Sequence, residues 1–218
     1  MMNSKRILVI LEILLVIFVG LIVLRLVLSN KAIKDNEDYL SGFSSKANNK
    51  TLTAPEVFTS DPYQGSDKAD TVIVTYEDFT CAYCSQMSAS LKELVDKYPK
   101  KVKVVWKDFV GSLNQTALRS ALAARCAQAQ GKFWEFHDAL FANQNSLSDS
   151  FYKKTASDLG LEQNRFNACF ENQEALPLIQ NSFNEGLALG VDATPYLFVN
   201  NQRFSGLVSF EGLEKLID

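Results

Sequence analysis

Two cysteines three residues apart, in Cys81-Ala82-Tyr83-Cys84, are the side chains of this 218-residue sequence with the clearest chemical purpose. On the first turn of a helix such a pair brings its sulfurs within bonding range, and the helix N-terminus stabilises a thiolate on the first of them. Cys81 is then the nucleophile and Cys84, one turn deeper, the resolving partner. In the oxidised form a substrate thiolate attacks Cys81 to give a mixed disulfide, and a second substrate thiolate releases it, leaving the pair reduced. Each unit by which the Cys81 pKa falls favours the reduced form by about 1.36 kcal/mol and makes the pair a stronger oxidant. This chemistry calls for no cofactor and no metal. A zinc site built from all four cysteines is disfavoured, because such sites usually show two close pairs and here there is one.

The elements that must position this pair follow from the pattern around it. Residues 71–76, Thr-Val-Ile-Val-Thr-Tyr, form a nearly continuous β-branched and aromatic run that suits a strand buried on both faces, and residues 102–106 form a second. Between them Met87, Leu91, Leu94, Val95 and Tyr98 fall at helical spacing and Pro99 ends the element. Strand, helix and strand make a βαβ unit with a parallel pair. From about Leu113 to Gly190 the pattern is helical almost throughout. Residues 196–199, Asn200-Asn201 and 202–204 then predict a hairpin with a two-residue turn, and an amphipathic helix starts near Ser209. Residues 52–57 are expected to add a short strand at the edge.

The N-terminus is a different kind of segment. Residues 7–28 are apolar apart from Glu12, Gly20 and Arg25, which is long enough to span a bilayer. A cleaved signal peptide would have a shorter apolar core and a small-x-small site, which residues 28–31 supply poorly, so an uncleaved anchor is expected. Lys5 and Arg6 put residues 1–6 in the cytoplasm and everything after Leu28 outside it, although Lys31 and Lys34 oppose that orientation. Residues 29–66, rich in Ser, Asn, Lys and Asp, read as a tether and N-terminal extension, leaving residues 67–218 as the domain. With 22 Lys+Arg against 25 Asp+Glu, the net charge of -3 offers no basic footprint, so nucleic acid is excluded as a partner.

CxxC after the first buried strand, and Thr194-Pro195 just before the later hairpin, resemble the thioredoxin fold, βαβ followed by ββα. More closely the chain is similar to the DsbA-like thiol-disulfide oxidoreductases, which insert a helical domain between the two halves, as residues 113–190 would do. Residues 76–84 and the run Gly131-Lys132-Phe133-Trp134-Glu135-Phe136-His137-Asp138 carry the resemblance, the latter looking like a signature of membrane-anchored and Gram-positive branches. The resemblance implies a cis Pro195 facing the CxxC, with the Thr194 backbone free to pair with substrate. It implies unfolded exported proteins as substrates, and recharging by an integral-membrane quinone-linked oxidase of the DsbB or vitamin K epoxide reductase type. The expected function is disulfide formation. The alternatives are a reductase or isomerase of the same fold and a redox-inactive binding module or chaperone that keeps it.

Three departures from the family matter. Many relatives carry a buried acid six residues before the nucleophile, where this chain has Thr75; Glu77, on the same strand face, is the candidate substitute, unless it is simply a solvated residue at a strand end. Ala82-Tyr83 stands where the strongest oxidases have Pro-His, and Thr194 is a residue of isomerase and reductase branches, so the direction of electron flow stays open. Cys126 and Cys169 each lie on an apolar helical face. They are either inert buried thiols or, as extracytoplasmic placement favours, a structural disulfide. His137, among Phe133, Phe136, Leu140 and Phe141, reads as a core histidine, and the surrounding aromatics as packing.

Overall fold

The computed structural model describes residues 18–23, 25, 52–110 and 114–217. The expected anchor at 7–28 lies mostly outside this set. Residues 18–23 and 25 are helical and the apolar side chains of Phe18, Leu21 and Val23 are exposed. Among the described residues no helix is long and apolar enough to cross a membrane. Of the expected tether, residues 29–51 also lie outside the set.

The β-branched runs form strands as their composition requires. β1 (Tyr63–Gly65), β2 (Thr71–Glu77), β3 (Val102–Asp108), β4 (Tyr196–Val199) and β5 (Gln202–Ser205) make one sheet in the order β1-β3-β2-β4-β5. β2 and β3 are parallel, joined through α1 (Ala82–Lys97), and the other pairs are antiparallel. Alternation along β2 sends Ile73 to one face, where Met87, Leu91 and Leu94 of α1, Val104, Leu197 and Leu213 close a core. Val74 and Tyr76 go to the other, against Val105, Val191 and Phe198. Each large aliphatic fully buried this way is worth about 1.5–3 kcal/mol. The hairpin turns on Asn200 and Asn201, both at positive φ as a two-residue turn of this hand demands. Ser209 caps the closing helix α7 (Phe210–Glu214), its hydroxyl accepting from the Gly212 N–H.

Between β3 and β4 the chain runs through α2 (Gln115–Gln128), α3 (Phe133–Ala142), a 3₁₀ turn (Gln144–Ser146), α4 (Asp149–Asp158), α5 (Gln163–Glu171) and α6 (Leu176–Ala188). This is the helical insertion expected at 113–190. Cys126 of α2 and Cys169 of α5 are disulfide-bonded, with a sequence separation of 43. A buried ion pair at 2.7 Å joins α2 to β3, Arg125 Nε to Asp108 Oδ2, and the Trp106 indole N–H donates to the other Asp108 oxygen.

Two expectations are corrected. The edge strand is β1, not residues 52–57, because the open edge of β3 is met in antiparallel register by Tyr63, Gln64 and Gly65. Residues 52–66 are also part of the folded domain rather than tether. Their carbonyls are taken by side chains and backbone of the body: Arg203 to Thr53, Lys107 to Glu56, Arg125 and Gln128 to Ser60, the Trp106 N–H to Pro62, and the Trp134 indole to Tyr63. Lys107, fully buried, spends its other donors on Asp61 at 2.8 Å and Glu185 at 3.0 Å.

Candidate active site

Cys81 is the N-cap of α1. Its extended backbone turns the chain out of the loop after β2, and its sulfur accepts from the Cys84 backbone N–H at 3.3 Å. The loop is fixed from several sides. Asp78 Oδ1 accepts from the Thr80 backbone N–H and hydroxyl, and Asn114 donates to that hydroxyl at 3.0 Å. The Gln144 side chain, arriving from the 3₁₀ turn of the insertion, donates to the carbonyls of Phe79 at 2.8 Å and Cys81 at 2.9 Å. Phe79 is buried and stacks on Trp106 with ring centroids 4.7 Å apart. The two cysteines are free thiols, Cys81 partly accessible and Cys84 fully buried, while Tyr83 between them is exposed. A partner sulfur therefore meets Cys81 first.

The Thr194–Pro195 peptide is cis, and the Cys81 thiol donates to the Thr194 carbonyl oxygen at 3.4 Å. Thr194, Pro195 and the CxxC are thus brought together, though they lie more than 100 residues apart in sequence.

Glu77, the last residue of β2, shares the inward face with Thr75 and is buried rather than solvated. The Thr75 hydroxyl donates to Glu77 Oε1 at 2.7 Å, and Oε2 has no hydrogen-bond partner among the described residues. The residue in the family's usual acid position thus holds the carboxyl two places further on. Burial, with a smaller push from Cys81, raises the Glu77 pKa to about 8. Cys84 is pushed well above the ordinary thiol range, first by burial and then by its hydrogen bond to Cys81 and the charge of Glu77. Cys81 moves the other way, to about 6, chiefly through the Cys84 side chain, with burial opposing and hydrogen bonds from the Thr194 side chain and the backbone of Cys84 and Tyr83 helping.

One thiolate and one thiol, sulfur beside sulfur, is the arrangement that thiol-disulfide exchange uses. The ultraviolet thiolate absorbance of the reduced protein is expected to rise with a midpoint near pH 6. Cys84→Ala removes the largest lowering contact and should move that midpoint up towards the ordinary thiol value. A midpoint that stays put would assign the whole depression to the backbone donors and Thr194.

His137 is a buried core histidine as expected, ringed by Phe79, Trp106, Phe133, Trp134 and Phe141. A separate cavity of about 460 Å³ lies between residues 52–61 and α6, and no residue of the CxxC loop lines it. Among the described residues no group of His, Cys, Asp and Glu is placed to hold a metal ion. Gln144 and Asn114, which hold the loop, carry no sequence signal of that role.

Known proteins share this architecture. A thioredoxin-like oxidoreductase from Silicibacter pomeroyi DSS-3 is 26% identical, with 78% of this chain and 95% of that one superposed at a TM-score of 0.67. The thiol-disulfide exchange protein alpha-DsbA2 from Wolbachia pipientis (22% identity, 84% and 94% covered, TM-score 0.66) and oxidised BdbD from Bacillus subtilis (16%, 77% and 96%, 0.68) share the fold. The Na(+)/H(+) antiporter NhaA 3 of Salinispora tropica is 31% identical over 158 residues, 72% of this chain. The chain spans only 24% of that antiporter's length, so the likeness concerns one part of it. A family model described as thioredoxin matches residues 59–218, which takes in the whole sheet, the insertion, the CxxC and Pro195. By that match the chain belongs to the thioredoxin family.

Proposed function

We propose that this thioredoxin-family thiol-disulfide oxidoreductase works as an oxidase outside the cytoplasm, handing its Cys81-Cys84 disulfide to dithiols of exported proteins. The observation that carries this reading is the split between the two sulfurs, Cys81 held as a thiolate near neutral pH and Cys84 held as a buried thiol. A thiolate stabilised in the reduced form makes the disulfide the less stable state and drives its transfer to substrate.

Substrate thiolate attacks the accessible Cys81 sulfur. The electron pair of the broken bond leaves on Cys84, which takes a proton from Glu77. A second substrate thiolate then attacks the substrate sulfur of the mixed disulfide and frees Cys81 as its thiolate. Glu77 takes the Cys84 proton back when the pair is recharged. The Cys126–Cys169 disulfide favours an oxidising compartment for the domain, and the apolar run at 7–28 favours a membrane anchor with a cytoplasmic N-terminus. An anchored domain meets a quinone-linked membrane oxidase of the DsbB or vitamin K epoxide reductase type at higher effective concentration.

The direction is tested by the equilibrium potential of the Cys81-Cys84 pair in a glutathione series. A value near about -120 mV is expected for an oxidase, whereas one near about -270 mV, the thioredoxin range, would make the protein a reductase.

A further inference from the structure

Glu77 ends β2 with one carboxylate oxygen on Thr75 and the other unpartnered and buried. Beside it lies a small cavity of about 10 Å³, the room one water needs. The cavity is bounded by Thr75 and Glu77 of β2, Trp106 of β3, Ser88 of α1, and Trp134 and His137 of α3. The Ser88 hydroxyl and His137 Nε2 are 3.3 Å apart. On its far side His137 Nδ1 is 2.9 Å from Asp138 Oδ1, and Asp138, half-exposed, pairs at 3.2 Å with Lys92 of α1. A buried carboxyl, a water-sized space, a hydroxyl, an imidazole and a surface carboxylate thus follow one another from the active site outwards.

We propose that a single water in this cavity joins the free Glu77 oxygen to Ser88 and His137, and that His137 is a positioning residue that relays the proton between Glu77 and Asp138 at the surface. The inference rests on the reading of Glu77 as the proton partner of Cys84. When the pair is recharged, Cys81 forms a mixed disulfide with the oxidant, and Cys84 must lose its proton to Glu77 before attacking Cys81 Sγ. The Cys84–Cys81 bond forms, the bond from Cys81 to the oxidant sulfur breaks, and its electron pair leaves on that sulfur, which solvent protonates. Two electrons pass from the pair to the oxidant. Glu77 holds its own proton up to about pH 8, so near neutral pH that proton has to leave before Glu77 can act as a base. The neutral imidazole, which burial disfavours from charging, takes it at Nε2 while releasing the Nδ1 proton through half-exposed Asp138 to solvent, since the His137 hydrogen bond holds the Asp138 carboxyl below the ordinary carboxylate range.

The ionisable groups around Glu77 are Cys81 and Cys84, Asp78 beside it in the chain, and Asp108 opposite it in the β3 register, itself bound by Arg125. Around His137 they are Asp138 on its own helix and Lys92 from α1, its other neighbours including the Ser88 hydroxyl and aromatic rings.

The test mixes the reduced full-length protein with oxidised glutathione and follows decay of the Cys81-glutathione mixed disulfide by acid quench and mass spectrometry across pH. In the unmodified protein the resolving rate should rise with a midpoint near pH 8 and then level off. His137→Asn should resolve about tenfold more slowly below that midpoint and converge on the unmodified rate above it, where Glu77 is already ionised; removing a direct proton acceptor costs about a hundredfold or more. Ser88→Ala should do the same, and the double variant should be no slower than either single one. Unmodified rates in both variants, additive losses, or a loss that persists equally above the midpoint would overturn the relay. Ser88→Ala decides the matter if His137→Asn fails to fold. Glu77→Gln should give a slow, flat profile. If it keeps the rise near pH 8, it is the assignment of Glu77 that fails, and not the relay alone.

Discussion

Cys81→Ser is expected to bring both disulfide transfer to a reduced substrate and reduction of insulin down to the uncatalysed rate, while Cys84→Ser keeps the first attack and stalls after it. The difference follows from where the two sulfurs lie. Cys81 caps α1 with its sulfur reachable and held as a thiolate, so every exchange begins there. Cys84 is fully buried, and its thiol is hydrogen-bonded to the Cys81 sulfur. A disulfide substrate offered to Cys84→Ser should therefore accumulate as a mixed disulfide on Cys81, visible by mass spectrometry as a single adduct. Full activity of Cys81→Ser in both assays would remove the catalytic reading altogether.

The second large effect is on stability. Replacing Cys126 and Cys169 together by alanine should destabilise the oxidised protein by about 4 kcal/mol, because the bond closes a loop with a sequence separation of 43 in the unfolded chain. For a domain of this size that corresponds to a fall in Tm of roughly 8–16 °C. The bond ties α2 to α5, and α2 also carries Arg125, whose buried ion pair with Asp108 anchors the insertion to β3. The Cys81 thiolate midpoint should not change, since neither cysteine touches the CxxC loop. A loss below about 1 kcal/mol would mean that the unfolded chain is already compact around these helices.

Much of the site was legible because it is local. β2, the loop, Cys81, Cys84 and α1 lie within 30 consecutive residues whose β-branched run and helical spacing place the thiols without help from the rest. The hairpin after Pro195 was legible for the same reason, through Asn200-Asn201. What escaped depends on distant partners. Gln144 reaches carbonyls 63 and 65 residues away, and a glutamine in a short turn has no spacing that announces this. Lys107 looks like a solvated strand end until Asp61 and Glu185 arrive to meet its charge. Glu77 could be placed on the inward face by alternation, but whether that face is dry depends on α3 covering it. β1 is too short to alternate, and only the free edge of β3 makes it a strand. Residues 52–57 had the composition of a strand, yet two of their carbonyls are taken by arginine and lysine side chains.

The way residues 52–63 lie against the body has a mechanical consequence. Their carbonyls are gripped by donors from β3, β5, α2 and α3, so sheet and insertion share the hold. None of those donors belongs to the loop at 78–84 or to Thr194 and Pro195. A pull from upstream loads the grips in order, Thr53 first and Tyr63 last, and spends itself on the sheet edge and the helices. The two cysteines take no direct part in that hold, and Trp106, whose N–H donates to Pro62 and whose ring stacks on Phe79, links it to their loop.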